Sequence, residues 1–478
     1  AAPRASCVGM RHRLRRGRRR RTAAVAVVIG SLITGAVPVS ASGASSAGGD
    51  GVGDPFFPQA GNGGYDVRDY DITATWDPSA QQLQATAVIE ARATQDLSSF
   101  DLDLRGFTVT SVRVDGRTAT FARSGQELVI TPAKALRARK QFEVRVVYAG
   151  TPQVVIDPDG SSEGWMPTSD GIVALGEPQG SPAWFPANDH PSDKATFSLT
   201  MTVPNDLTVV SNGEPDRPRR RGNQTTFRWH EDDPMATYLA TVSIGHFTLQ
   251  TSRTRSGLPV YTAVTASLAA DSAAAVARIP EMVDWLQGVY GRYPFDSTGA
   301  IVVDAPDVGY ELETQSRPTF TSAPDDGLMI HELAHQWVGN SVTLTSWPEI
   351  WLNEGFAGYT EWLWSEHDGG PTADELFHDA YDGTPGDDPF WATPPLGLPD
   401  PSELFSDVVY TRGAMTLHAL RLSVGDPAFF RILRTWTTVH RHGNVSTDDF
   451  IALAERVSHQ DLGALFAAWL DTPGKPAI

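Results

Sequence analysis

Three side chains in this sequence have the types and spacing to hold one metal ion: His331, His335 and Glu354. The histidines stand in His331-Glu332-Leu333-Ala334-His335. On a helix, positions four apart share a face, so both imidazoles can point at one ion. Glu332 comes one residue later, beside the ion rather than bound to it, where a base for a metal-bound water is needed. A catalytic zinc takes three protein ligands and keeps one position open for water. Glu354 supplies the third ligand. Glu361, seven residues further on, shares its face and could accept a hydrogen bond from a ligand histidine. A lone H-E-x-x-H also arises by chance on surface helices. The Asn353-Glu354-Gly355 that follows eighteen residues later separates this chain from that case.

These side chains need rigid mounts, and residues 325–367 read as two helices. Pro324 and Asp325 offer a start for the first, and Gly339-Asn340 a stop. Pro348 opens the second in its first turn. Eighteen intervening residues suffice to turn the chain and lay the helices side by side. Upstream, from Tyr65, short alternating runs at 71–76, 85–91, 142–148, 196–203 and 225–229 are separated by turns such as Asp115-Gly116 and Asn212-Gly213. This predicts an all-β domain over 64–250. The basic run 217–221 reads as a solvated turn. From Ala269 the period becomes helical, with Val276, Ile279, Val283, Leu286 and Tyr290 on one face. Residues 300–303 read as a buried strand and 382–401 as a long loop. A helical pattern from Leu404 to Val424 stops at Gly425.

The chain has 478 residues, too long for one compact core, and its 41% hydrophobic and 20% charged content is that of a globular protein. Nine arginines precede the first acid, Asp50, and the remainder carries 29 basic against 57 acidic side chains. Such a surface argues against nucleic-acid partners. The single cysteine, Cys7, lies ahead of the first methionine, Met10, which is a candidate true start. Residues 10–21 are arginine-rich, 22–39 apolar, and Val39-Ser40-Ala41 suits signal-peptidase cleavage. Residues 1–41 therefore read as a secretory signal peptide, with an uncleaved membrane anchor as the alternative. Residues 42–63, rich in Gly, Ser and Ala, read as a flexible linker. The catalytic domain is expected over 251–478. A secreted monomer with no membrane contact after cleavage is expected.

Together with the zinc motif, the stretches that follow make the sequence resemble the aminopeptidase N family of zinc metallopeptidases, within the gluzincins. The resemblance rests on Gly64-Tyr65-Asp66, on Trp184-Phe185-Pro186-Ala187-Asn188-Asp189-His190-Pro191-Ser192-Asp193-Lys194, and on Pro234-Met235-Ala236-Thr237-Tyr238. It continues through the H-E-x-x-H segment to Val409-Tyr410-Thr411-Arg412-Gly413. It implies a multidomain α+β fold, with a saddle-like all-β domain before a thermolysin-like, mainly helical zinc domain. Larger members add a β-sandwich and a big helical domain. With 68 residues after Tyr410, those are expected to be absent and the site more open there.

The resemblance also implies roles. His331, His335 and Glu354 would bind one Zn²⁺, Glu332 would be the general base, and Tyr410 the phenol that stabilises the oxyanion, with Tyr381 as a rival. Substrates would be peptides with a free amino terminus, whose ammonium would be held by Glu313 and Glu177. The family's Gly-x-Met-Glu-Asn motif is matched by Gly309-Tyr310-Glu311-Leu312-Glu313-Thr314-Gln315, with Tyr310 for the motif glycine and Thr314 for asparagine. Glu311 is therefore a rival to Glu313. The expected chemistry is hydrolysis by a zinc-activated water, with Glu332 passing its proton to the leaving amine. An endopeptidase on the same site, or a non-catalytic binding module, are the alternatives.

Overall fold

A computed structural model of the chain describes residues 45–478. The expected leader over 1–41 and Cys7 lie outside the described residues. Among the described residues no helix is long and apolar enough to cross a membrane.

The alternating runs become long strands. Tyr65–Asp77 buries every second residue along much of its length, as a strand with one face on a core must. It pairs antiparallel with Gln82–Ala93 and parallel with Lys194–Pro204 at the heart of a nine-stranded sheet. A second, five-stranded sheet runs from Val154–Ile156 through Ser162–Pro167, Ile172–Leu175 and Val242–Gly245 to Thr208–Ser211. Apolar residues from both sheets and from the helices join one continuous core. Eight α-helices follow among the described residues.

Three expectations need correction. The boundary expected at 250/251 falls inside strand Phe247–Arg253. That strand belongs to a four-stranded sheet with Pro259–Thr265, Thr298–Val302 and Thr319–Phe320, so backbone pairing crosses the expected boundary. The basic run is no simple turn either. Arg219–Arg221 is a short exposed edge strand on Gln224–Ala236, and the reversal falls after it, at Gly222. Charged edge strands of this kind resist pairing with other chains.

The third correction concerns the expected flexible linker. Residues 45–63 are held against the body of the protein. Ser46–Ala47 pairs with Leu97–Ser99, and Phe57 packs edge-on against Trp347. The anchor is Asp54, a buried carboxylate in a glycine-rich stretch. Its Oδ1 accepts from the N–H groups of Phe56 and Phe57, and its Oδ2 from the Ser346 hydroxyl and the Trp347 N–H, both at 2.9 Å. His190 stands 3.3 Å away. Burial raises the carboxyl's pKa, but these donors outweigh it and hold it down at about 2. A depressed pKa means stabilisation that is full above the usual carboxylate range and fades as pH falls toward 2. Asp54→Ala is therefore expected to cost about 2–3 kcal/mol near neutral pH, because several buried donors lose a charged acceptor. Thermal unfolding of wild type and variant at pH 7 and pH 3 checks it. The gap between them should narrow at the lower pH.

The two predicted helices around the H-E-x-x-H motif form as Asp326–Ala334 and Trp351–Asp368. Asp325 caps the first, accepting from the Leu328 N–H at 2.9 Å. This helix ends earlier than Gly339-Asn340 suggested. After His335 the chain widens, with the N–H groups of Asn340, Ser341 and Val342 bonding carbonyls five residues back. Pro348 sits in a 3₁₀ turn, Trp347–Glu349, that leads into the second helix, and Gly369 ends that helix at φ +87°.

Candidate zinc centre and cleft

The first helix places His331 and His335 on one buried face, and the second brings Glu354 opposite. Glu354 Oε2 lies 3.3 Å from His331 Nε2 and 3.4 Å from His335 Nε2. Ligands at about 2.0–2.1 Å in a tetrahedron stand about 3.4 Å apart, so this spacing is that of a zinc coordination shell. The other ring nitrogens are accounted for. His331 Nδ1 is 2.6 Å from Glu361 Oε1 and His335 Nδ1 is 3.1 Å from the Val338 carbonyl. With protons on both Nδ1 atoms, both Nε2 lone pairs are free for a metal.

Glu332 lines the same cleft and is 5% exposed, with Oε2 lacking any hydrogen-bond partner. Burial pushes its pKa up to about 8, against the pull of His331 and His335. A dication at the triad would draw it down again.

Tyr410 lies in a π-helical turn, Val408–Arg412, just before helix Gly413–Val424. Single π turns often mark functional sites. The phenol ring stacks near His331, with centroids 6.1 Å apart. Burial and the charge on Glu354 hold its pKa well above the usual phenol range, so it remains a donor. What brings it close is a glycine pair. A Cβ on Gly355 would lie 2.9 Å from Gly413 Cα, and one on Gly413 2.8 Å from Gly355 Cα. Only bare backbone lets the helix carrying Glu354 approach the segment carrying Tyr410 so closely. Tyr381 is elsewhere: its hydroxyl bonds the Pro476 carbonyl at 2.5 Å.

Glu177 and Glu313 converge beside the triad. One oxygen of each, with one of Glu354, forms a group within 4.8 Å, and Oε1 of both Glu177 and Glu313 is buried without a partner. Burial first, then Glu313 and the other site carboxylates, raise the Glu177 pKa well above normal. Burial raises that of Glu313 against the charge on His335. Glu311 differs. It accepts from the Thr321 N–H and, at 3.0 Å, from the Ser322 hydroxyl, so both its oxygens are occupied. Of the substituted motif positions, Tyr310 bonds the Ser162 carbonyl at 2.9 Å and Thr314 meets Thr319 at 2.7 Å.

Sequence reasoning gave no role to several residues that position the site. Gln336 and Asn340 donate to the Glu313 carbonyl at 3.1 and 2.6 Å, tying the end of the histidine helix to the Glu313 segment. Lys194 reaches from the β domain to the carbonyls of Asn340 and Ser341, at 2.7 and 3.0 Å. Tyr238 is buried, and the charges of Glu313, Glu177 and Glu354, after burial itself, raise its pKa. Lys194 and Tyr238 stand in stretches that carried the family resemblance, and Gln336 and Asn340 follow shortly after the H-E-x-x-H motif. Their contacts join positions far apart in sequence, which no local pattern encodes.

The Peptidase M1 N-terminal domain model matches residues 67–239, and the Peptidase family M1 domain model matches residues 310–469. The M1 zinc metallopeptidase of Deinococcus radiodurans is 30% identical. Its crystal structure aligns at a TM-score of 0.82 over 89% of this chain and 99% of that one. This chain belongs to peptidase family M1. A mutant of the Deinococcus M1 enzyme has been solved with a Tyr-Ser-Ala substrate, at 29% identity, a TM-score of 0.82 and coverage of 89% and 99%. The probable aminopeptidase 1 of Saccharolobus solfataricus is 27% identical over 403 residues, 79% of this chain and 50% of that protein. The aminopeptidase N of Lactococcus lactis is 29% identical over 327 residues, 62% of this chain and 38% of its own length. The chain thus spans about half the length, or less, of these curated relatives, and nearly all of the Deinococcus structure. The M1 assignment fits the architecture, an N-terminal β domain followed by a helical zinc domain. It also makes zinc the cofactor, in agreement with the two imidazoles and one carboxylate at tetrahedral spacing.

Proposed function

We propose that this M1 protein is a secreted zinc aminopeptidase that removes the first residue from peptides. The observation that carries this reading is the pair of buried, unpartnered carboxylate oxygens on Glu177 and Glu313 beside the ligand triad. Two such oxygens are costly unless a cation joins them. A free α-amino group, largely cationic at neutral pH, is the cation a peptide offers.

His331, His335 and Glu354 would hold the zinc, which when bound would acidify water and polarise the scissile carbonyl. Glu361 and the Val338 carbonyl keep the two imidazoles in the tautomer that binds metal. Glu177 and Glu313 anchor the substrate's ammonium and so set which carbonyl reaches the centre. The Glu332 carboxylate accepts the proton from the attacking water and delivers it to the leaving amine. The Tyr410 hydroxyl donates to the oxygen on which negative charge develops. Tyr410→Phe is expected to keep fold and zinc while lowering turnover about 10²- to 10³-fold. Steady-state kinetics with metal analysis checks this, and an equal loss in Tyr381→Phe would move the role to that phenol.

Secretion rests on the leader pattern over residues 10–41. N-terminal sequencing of the exported protein tests it, and a retained leader would favour the anchor. The acidic surface supports a soluble monomer without nucleic-acid partners. The decisive test of function is hydrolysis of aminoacyl fluorogenic substrates and their N-acetylated forms, with and without a chelator. Cleavage of the free-amino forms alone, lost with the metal, is expected. Efficient cleavage of acetylated substrates would replace this reading with an endopeptidase.

A further inference from the structure

The cleft is one-sided in charge. Asp159, Glu177, Glu311, Glu313, Glu332 and Glu354 all line it, and no lysine or arginine does. Five of these are already engaged, with Glu354 at the metal, Glu332 at the proton, Glu177 and Glu313 at the ammonium, and Glu311 on the backbone and hydroxyl donors of its own rim. Asp159 is not. It is exposed, in the loop between strands Val154–Ile156 and Ser162–Pro167.

This carboxylate is nonetheless held in place. Its Oδ1 accepts from the Ser161 N–H at 2.8 Å and from the Ser161 hydroxyl at 2.7 Å. The loop is closed by the Asp157 N–H on the Ser161 carbonyl at 3.0 Å and the Gly160 N–H on the Asp157 carbonyl at 2.9 Å. The Tyr310 hydroxyl then ties the loop to the cleft wall through the Ser162 carbonyl. Among the described residues, no donor pairs with Asp159 Oδ2 and no basic side chain forms an ion pair with it. Two half-buried aromatic rings, Tyr310 and Phe405, line the same cleft. Aromatic walls with a positioned carboxylate at the rim suit one kind of side chain, a long aliphatic stem ending in a cation. The methylenes can lie on the rings while the charge reaches the rim.

We infer that Asp159 selects substrates whose first residue is basic, lysine or arginine, by pairing with the side-chain cation at the rim of the cleft. The inference rests on the aminopeptidase reading and names the substrate class for that site. The same negative lining works against acidic first residues through like-charge repulsion.

The test compares kcat/KM for arginyl, lysyl, leucyl and glutamyl 7-amido-4-methylcoumarin substrates. Wild type is expected to prefer the two basic substrates to the leucyl one and to reject the glutamyl one. In Asp159→Asn the arginyl-to-leucyl ratio should fall about five-fold, the scale of one exposed ion pair, and mainly through KM. The ratio should also shrink as salt is raised. A wild-type ratio at or below one, or an unchanged ratio in Asp159→Asn, would overturn the assignment. Calorimetric binding of L-argininamide and L-leucinamide separates this inference from the reading beneath it. If free-amino substrates are not hydrolysed, yet argininamide binds more tightly in a way Asp159→Asn removes, the function falls and the role of Asp159 stands. Equal binding of the two amides sinks that role even in an active aminopeptidase.

Discussion

Glu332→Gln should bind zinc as wild type does and lose about 10²- to 10⁴-fold in kcat, the usual cost of removing a general base. The substitution preserves volume and one acceptor oxygen, so the histidine helix, its Asp325 cap and the ligand spacing should survive. What disappears is the group able to accept a proton. Glu332 is well placed for proton transfer, because it is buried, one of its oxygens has no partner, and its neighbour along the chain is His331 of the candidate triad. In wild type the loss of activity on acidification should follow protonation of this carboxylate. That acid limb should be missing from whatever activity Glu332→Gln retains. Zinc stoichiometry by elemental analysis, set beside kcat, checks the prediction. A variant with full zinc and near-normal turnover would remove Glu332 from the chemistry.

Glu313→Gln and Glu177→Gln should each weaken processing of substrates with a free amino terminus, without changing zinc content. Truncating one partner of a buried, hydrogen-bonded charge pair costs about 2–5 kcal/mol, or about 30- to 4,000-fold. The loss should appear in kcat as well as KM, because the ammonium contact also places the scissile carbonyl. Glu311→Gln supplies the control for alignment. Its oxygens are already engaged by Thr321 and Ser322, so it should alter local stability more than recognition of the amine. A severe defect confined to Glu311→Gln would move the ammonium site two residues and discard Glu313. Measuring each variant on free and N-acetylated versions of one substrate isolates the contribution of the amine.

The convergence of the candidate metal triad was legible because most of it is local. His331 and His335 are one helical turn apart, so their convergence follows from 3.6 residues per turn whatever the rest of the chain does. Glu354 was legible for a related reason: it sits on its own helix, opened by Pro348, after a connection of suitable length. Glu361 and Glu354 share a face by the same arithmetic. The strands from Tyr65 onward announced themselves by alternation, since a half-buried sheet must bury every second side chain.

Choices between neighbours were not legible. Glu311 and Glu313 have the same chemistry two residues apart. What separates them is that Thr321 and Ser322, on a returning segment, engage the first and leave one oxygen of the second free. Tyr381 and Tyr410 both lie in helical sequence, and the contact between Gly355 and Gly413 brings one of them to His331. Residues 45–63 have the composition of a linker, yet one aspartate among the glycines finds its donors at Ser346 and Trp347, nearly three hundred residues away.

The sequence by itself therefore pointed to zinc, to the helices that carry the candidate triad, and to the alternating strands ahead of them. Each of these depends on periodicities that act over a few residues. The tertiary structure alone decided which carboxylates keep a buried oxygen unpartnered, which phenol lies near His331, where a sheet crosses the expected domain boundary, and that Asp159 lines the cleft. These are outcomes of hydrogen-bond satisfaction and packing between segments far apart in the chain. A buried polar atom is left free or engaged by whatever distant strand or helix happens to arrive beside it.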